Sequence, residues 1–251
     1  MEVVKRIIEE EDLILPLELI IDILQHLDNS TLAKCAAVCR TWLVLTRPSL
    51  FTHLVLTKDR QIALSSQFSD LFSHPLSTIP SLVTSLTIMD PQNKELHSKV
   101  FPLLNALTNV RYLEIRTVDV FRTSGDFSVA IPTNHFRNLT MLKIDTDFPE
   151  FSHLVTFICD FPLLESLDMD TDWSGPATIT STGSLSSYLR TLQIRSLSQF
   201  ILPWFLALPN LPPIEDIELL ISDDLELVNQ LIRMLGPSVR RLTLMLWDLS
   251  Y

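Results

Sequence analysis

Glycine and cysteine are scarce in this sequence of 251 residues, which contains four glycines and three cysteines. So few glycines leave little material for the glycine-rich loops that cradle phosphate groups, and no P-loop motif is present. The cysteines, Cys35, Cys39 and Cys159, are few and odd in number, which argues against a secreted disulfide framework. We therefore expect a protein of a reducing compartment, cytoplasmic or nuclear.

The sequence also lacks long hydrophobic runs and an excess of positive charge. No stretch approaches the roughly 18 consecutive apolar residues of a membrane-spanning helix, so we expect no membrane partner. Acidic residues interrupt the apolar runs of the first 16 residues, which excludes a signal-peptide layout there. With a net charge of -11, the chain would repel phosphate backbones, so we expect no nucleic-acid partner.

Motifs of the common hydrolases are missing too, since neither G-x-S-x-G nor H-E-x-x-H occurs. Three alternating aspartates from Asp168 are spaced as in a calcium loop, but Ile179 stands where that loop needs a glutamate. Cys35 and Cys39 share a helix face, where two packed thiols are a simpler interpretation than a zinc site. We expect no enzyme, no cofactor and no metal.

Apolar residues are the main feature of the sequence, and the first group of them lies on a helix predicted over residues 17–27. Its polar residues, Glu18, Asp22, Gln25 and His26, fall on one side at 100° per residue, and apolar residues cover an arc of about 200°. One core needs a stripe of only about 100°. The helix is therefore either buried in a larger fold or shared with a second protein.

Two more helices are predicted after it, completing a module over residues 13–56 behind a charged lead-in at 1–12. Asp28 and its neighbours break the first helix and offer an N-cap for the second. Apolar residues then recur at helical spacing, with Trp42 as the expected packing centre and Pro48 as the expected end.

From residue 57 to 251 a repeat replaces the helical pattern. Apolar triplets with two spacers and then one spacer recur every 25 residues, and looser copies precede them. The regular triplets are Leu139, Leu142, Ile144; Leu164, Leu167, Met169; Leu189, Leu192, Ile194; Ile214, Ile217, Leu219; and Val239, Leu242, Leu244. Each triplet predicts a short strand, so we expect an α/β fold of stacked parallel strands with outer helices or turns.

The segments between triplets return along the outside. Helices are predicted at 95–106, 151–161 and 225–235, turns at the proline-rich 202–204 and 211–213, and a flexible loop at 174–187. Asp147 and Asp172 occupy positions where such repeats often carry a capping asparagine, so we expect them to cap backbone. The chain reaches Tyr251 just past a strand without a polar capping repeat, which is expected of a truncated or unusually capped array.

Two resemblances follow from these patterns. Leu15-Pro16, Glu18, Ile23-Leu24, Leu27, Leu32, Val38-Cys39-Arg40, Trp42, Pro48 and Leu50-Phe51 make residues 13–56 resemble an F-box. The triplets resemble the strands of an irregular leucine-rich-repeat solenoid. The first resemblance implies a three-helix module that docks on a Skp-type adaptor and links a substrate receptor to a cullin–RING (SCF-type) E3 ubiquitin ligase. It implies adaptor-binding or shared positions at Leu15, Pro16, Leu19, Ile20, Ile23, Leu24, Leu27, Val38 and Trp42.

The second resemblance implies a concave face that binds a protein substrate of unknown identity. The spacer positions of the strands would line it, namely Tyr112, Glu114, Arg116, Lys143, Asp145, Asp168, Asp170, Gln193, Arg195, Asp216 and Glu218. Two alternatives stay open from sequence. This face is merely solvated, or the whole chain is a non-catalytic repeat scaffold whose helices cap the open end of the repeats.

Overall fold

The computed structural model describes residues 15–57, 72, 74, 77–90, 101–117, 133–173, 183–195, 198–221 and 225–246. The expected lead-in, most of the loop at 174–187, the first half of the helix at 95–106 and the residues around Tyr251 lie outside this part of the chain. Within the described ranges, no helix is long and apolar enough to cross a membrane.

Three helices open the described chain: α1 Leu17–Gln25, α2 Asn29–Ala36 and α3 Arg40–Phe51. The expected N-cap is confirmed, since the Asp28 carboxylate accepts a hydrogen bond from the Thr31 backbone N–H at 2.9 Å. The prediction that Pro48 ends the block is wrong, because α3 continues through it to Phe51. A proline in the last turn removes one intrahelical hydrogen bond without displacing the residues that follow.

The core of this helical module consists of Ile20, Leu24 and Leu32, all buried. Trp42 and Leu27 are half-buried and pack against these three residues. Trp42 therefore flanks the core and is not its centre. Because this cluster holds only three buried apolar side chains among the described residues, the module depends strongly on each of them.

Eight strands form one parallel sheet, ordered as they occur in the sequence. Their bounds are β1 His53–Leu56, β2 Ser85–Met89, β3 Tyr112–Arg116, β4 Met141–Asp145, β5 Ser166–Met169, β6 Thr191–Ile194, β7 Asp216–Ile221 and β8 Arg241–Leu246. The middle residues of the triplets pair in one continuous row: Leu54, Leu86, Leu113, Leu142, Leu167, Leu192, Ile217 and Leu242. The prediction of one parallel strand per triplet is confirmed.

Helices and turns connect the strands. They are α4 Ile79–Leu82, α5 Phe101–Leu104, a 3-10 turn Thr133–His135, α6 Phe151–Cys159, α7 Ser198–Ala207, α8 Leu225–Leu235 and a 3-10 turn Gly236–Ser238. The predictions of helix at 151–161 and 225–235 are confirmed, the first with an earlier end.

The turn predicted at 202–204 is wrong, because α7 runs through Pro203. A proline inside a helix costs about 3 kcal/mol. Ile201, Leu202, Trp204 and Phe205 are all buried in the core, and each buried large apolar side chain stabilises by about 1.5–3 kcal/mol, which outweighs that cost. Residues 211–213 lie outside any helix, as expected.

The main core lies between the sheet and the returns, where the triplet residues of β2 to β7 stack. The capping role expected of Asp147 and Asp172 stays a prediction, and the threonine before each of them lies in the interior. The Thr146 and Thr171 side chains are fully buried, and the Thr171 hydroxyl donates to the Thr146 carbonyl at 2.6 Å. A hydroxyl satisfies its bond within a tight interior, whereas a carboxylate there would pay a desolvation penalty.

Candidate functional site

An exposed apolar face on the helical module is the first candidate site. Leu15, Leu19, Ile23 and Val38 all lie open to solvent, between 46% and 70% exposed. Because α1 turns 100° per residue, the burial of Ile20 and Leu24 places their neighbours in sequence outside the core. Apolar side chains gathered on one exposed face are typical of a partner surface.

The nine predicted adaptor positions differ in their exposure to solvent. Leu15, Pro16, Leu19, Ile23 and Val38 are exposed, whereas Leu27 and Trp42 are half-buried.

Ile20 and Leu24 are buried, so of the positions that the resemblance gives as adaptor-binding or shared, these two lie on the core side. They belong to the internal core of the module, so they would hold α1 in place without touching a partner. Sequence reasoning also missed Ile21 and Leu43, which are exposed apolar residues of the same module. Ile21 belongs to the wide apolar arc of α1, a signal that was present in the pattern.

Comparison with known families bears on this same region. Residues 13–57 match the family model of the F-box-like domain. The match includes α1, α2, α3 and β1, and it supports an F-box protein. F-box domains generally bind Skp-type adaptors. A search of curated proteins returned no significant match.

The polar face of the sheet is the second candidate site, and its first cluster centres on Glu114. The Glu114 carboxylate lies 3.3 Å from the Lys143 ammonium and 3.8 Å from the Arg116 guanidinium. Arg116 in turn reaches Asp145 at 3.7 Å, and the Tyr112 hydroxyl donates to Glu114 at 3.3 Å. The register of β3 and β4 places Glu114 beside Lys143, so five predicted residues form one charged cluster.

The second cluster of this face centres on Arg195. Its guanidinium lies 3.5 Å from both the Asp168 and the Glu218 carboxylates and donates to the Gln193 side-chain oxygen at 2.9 Å. The register of β5, β6 and β7 aligns Asp168, Gln193 and Glu218 in one row. Asp216 lies at the start of β7, where it pairs with Arg241 at 3.8 Å. Much of the acid expected on this face is thus already paired with cations.

Burial changes the acidity of two groups on the polar face. It raises the pKa of Tyr112 to about 12, with a further contribution from the Glu114 charge, so Tyr112 is a neutral hydroxyl. Burial also raises the pKa of Asp168 above its usual value, although Arg195 and Lys143 oppose the shift. A partly desolvated carboxylate between two cations is a strong acceptor for a partner's hydrogen-bond donors.

Sequence reasoning missed a polar extension of this face onto β1 and β2. His53 Nδ1 lies 2.6 Å from the Ser85 hydroxyl, and His53 Nε2 lies 3.5 Å from the Thr87 hydroxyl. Thr87 donates to Glu114 at 3.4 Å, which joins these residues to the first cluster. These contacts join residues 27 or more positions apart, and no local motif signals them.

Chemically, the polar face provides donors, acceptors and charges on an open sheet. Among the described residues, no group of three or more histidine, cysteine or acidic side chains is arranged to hold a metal ion. None of the three cysteines forms a disulfide bond. What the arrangement can do is bind a partner with complementary charges and hydrogen-bonding groups.

Proposed function

We propose that this chain is the substrate receptor of an SCF-type E3 ubiquitin ligase. In this proposal the helical module docks on a Skp-type adaptor, and the following repeats form a leucine-rich-repeat solenoid that binds a protein substrate. The chain carries out no catalysis itself, and ubiquitin transfer occurs on partner subunits of the ligase. Such a receptor works in the cytoplasm or the nucleus.

The F-box-like match over α1 to α3 is the observation that carries this proposal. The exposed apolar face supports it, because Leu19 and Ile23 are directed away from the three-residue core that holds the module together. Burying an exposed leucine or isoleucine at an interface contributes about 25 cal/mol for each Å² of apolar surface removed from water.

For the substrate, the polar face offers the two clusters around Glu114 and Arg195. Because both clusters are internally paired, a partner gains affinity there by replacing existing ion pairs, which favours specificity over strength. The half-buried Asp168 suits a substrate that presents basic or neutral donor groups. The concave shape of this face remains part of the proposal.

A binding experiment with a purified Skp-type adaptor tests the proposal. We expect micromolar or tighter binding by the wild-type chain and loss of binding by the Leu19→Ala, Ile23→Ala double variant. The matched control is Glu18→Ala, Asp22→Ala on the polar side of the same helix, which should bind like wild type. Circular dichroism shows whether each variant is folded. A well-folded wild-type chain that does not bind would refute the receptor proposal.

A repeat scaffold unrelated to ubiquitination is the second candidate. One observation favours it: α3 leads directly into β1, and the Thr52 carbonyl accepts hydrogen bonds from the Thr84 and Ser85 N–H groups at 3.0 Å. The last helix is therefore continuous in sequence with the first strand of the sheet, as it would be in a cap. If the helices only cap the repeats, the exposed apolar face binds no partner. The Leu19→Ala, Ile23→Ala double variant would then leave protein binding unchanged.

A further inference from the structure

The residues immediately before the strands β2 to β8 form a row at the end of the sheet where the strands begin. This leading row comprises Thr84, Arg111, Thr140, Glu165, Arg190, Glu215 and Arg240. From Arg111 onward, each backbone N–H donates to the carbonyl of the preceding member at 2.7–2.9 Å. The row is thus a rigid backbone ladder that places its side chains at regular intervals.

The charges along the leading row are paired at one end. Glu215 lies 3.6 Å from the Arg190 guanidinium and 3.0 Å from the Arg240 guanidinium. Arg111 stands between Thr84 and Thr140, neither of which carries a charge. Within the described ranges, the Arg111 guanidinium forms no ion pair.

A groove of about 720 Å³ lies against Arg111. Its lining includes the Tyr112 ring and two exposed apolar side chains, Met141 and Leu163. Tyr188, one repeat beyond Leu163 at the equivalent position, is exposed as well and extends the apolar surface.

Two asparagines at equivalent positions of successive repeats complete the groove. Asn109 donates its side-chain amide to the Ser81 carbonyl at 2.8 Å, and Asn138 donates to the Thr108 carbonyl at 3.0 Å. These bonds fix both side chains and leave their carbonyl oxygens as acceptors for a bound backbone N–H.

We propose that this groove binds a peptide segment of a partner protein, in which an aspartate or glutamate pairs with Arg111 and an adjacent apolar side chain packs on Met141 and Leu163. The guanidinium presents a planar fork that a single carboxylate can satisfy with two hydrogen bonds. Phosphate groups are usually recognised by clusters of arginines, and Arg111 is the only cationic side chain among the lining residues described, which favours a carboxylate. The groove shares Tyr112 with the face proposed for the substrate and extends from it to the starts of the strands, so it adjoins that face and adds the Arg111 side chain to it.

Selection from a random peptide display library on the full chain provides the probes. We expect the selected peptides to carry an acidic residue next to an apolar residue. By fluorescence polarisation, Arg111→Gln should weaken their binding about tenfold or more, as expected for loss of a hydrogen bond between charged groups. Arg240→Gln is the matched control, because it makes the same change in the same row outside the groove. Met141→Ser should also weaken binding.

Several results would overturn this inference. One is that no peptide is enriched, and another is that the enriched peptides bind the Arg111→Gln and wild-type chains equally. A third is that replacing the peptide's acidic residue by glutamine leaves affinity unchanged. If phosphoserine at that position tightens binding tenfold or more, the groove is a phosphopeptide site and the carboxylate assignment is wrong. Circular dichroism of each variant confirms that the fold is retained.

Discussion

Leu19 and Leu24 lie five residues apart on α1, and the same substitution should affect them in opposite ways. Leu24 is 1% exposed within the three-residue core, whereas Leu19 is 50% exposed on the proposed adaptor face. Leu24→Ala should therefore destabilise the module and Leu19→Ala should not. The comparison separates the structural from the binding role within one helix.

The magnitudes follow from burial. Replacing a buried leucine by alanine lowers the free energy of unfolding by about 2–5 kcal/mol, because the transfer free energy of the removed atoms is lost and a cavity is left behind. At Leu19 no closed cavity forms and about half of the side chain is already in water, so we expect a cost of roughly 0.5–1 kcal/mol or less. The higher helix propensity of alanine offsets part of that cost. A difference of about 2–3 kcal/mol is roughly a 30- to 150-fold change in the local folding equilibrium.

Hydrogen exchange followed by mass spectrometry on the full chain measures this difference locally. Backbone amides of α1 and α2 should exchange much faster in Leu24→Ala than in wild type, and at nearly wild-type rates in Leu19→Ala. Peptides from β4 to β6 serve as an internal control, since their core is separate. Equal acceleration in both variants would show that the Leu19 side chain is packed in solution, and the reasoning about an exposed face would fail.

Three further predictions concern stability. Leu192→Ala should lower the urea midpoint by an amount equivalent to about 2–5 kcal/mol, and Leu242→Ala by markedly less, because Leu242 on β8 is 39% exposed and Leu192 is fully buried; equal shifts would contradict the stacking described here. Hydrogen bonds from Thr31 lower the pKa of Asp28, so its stabilising effect is present above the unfolded-state pKa of about 3.9 and is lost as the pH falls. Asp28→Ala should therefore destabilise the module at neutral pH and make little difference in acid, as measured by circular dichroism. Burial raises the pKa of Asp168, so the folded state favours its protonated form at low pH and loses that contribution as the pH rises through the folded-state pKa. Asp168→Asn should then raise the urea midpoint at neutral pH and lose this advantage in acid; a lower midpoint at neutral pH would mean that the Arg195 ion pair dominates.

The strands illustrate what could be foreseen from local spacing. Leu142, Leu167 and Leu192 lie at equal intervals in the sequence. When each repeat adds one strand to the sheet, equal intervals bring equivalent residues of neighbouring strands side by side. The register of the sheet was therefore implied by the repeat. The leucine-rich-repeat solenoid itself stays a proposal, as the match to a known family ends at residue 57.

Where predictions from local sequence rules failed, the burial of side chains in the folded core was the competing effect. Pro48 was expected to end a helix and Pro203 to lie in a turn, yet both lie inside helices. The wide apolar arc of α1 showed excess surface but did not show which residues the core would take, because that depends on how α2 and α3 pack against it.

The amino-acid sequence by itself determined the helical module, the one-strand-per-repeat architecture and the members of the two charged clusters on the polar face. These features depend on residue type and spacing along the chain, which local geometry converts directly into helix and strand faces. Only the tertiary structure decided that Ile20 and Leu24 are core, that Glu114 and Arg195 centre two charged clusters, and that Arg111 lies by a groove without a carboxylate partner among the described residues. Those outcomes depend on distances between residues far apart in sequence, and only the packing of successive repeats determines such distances.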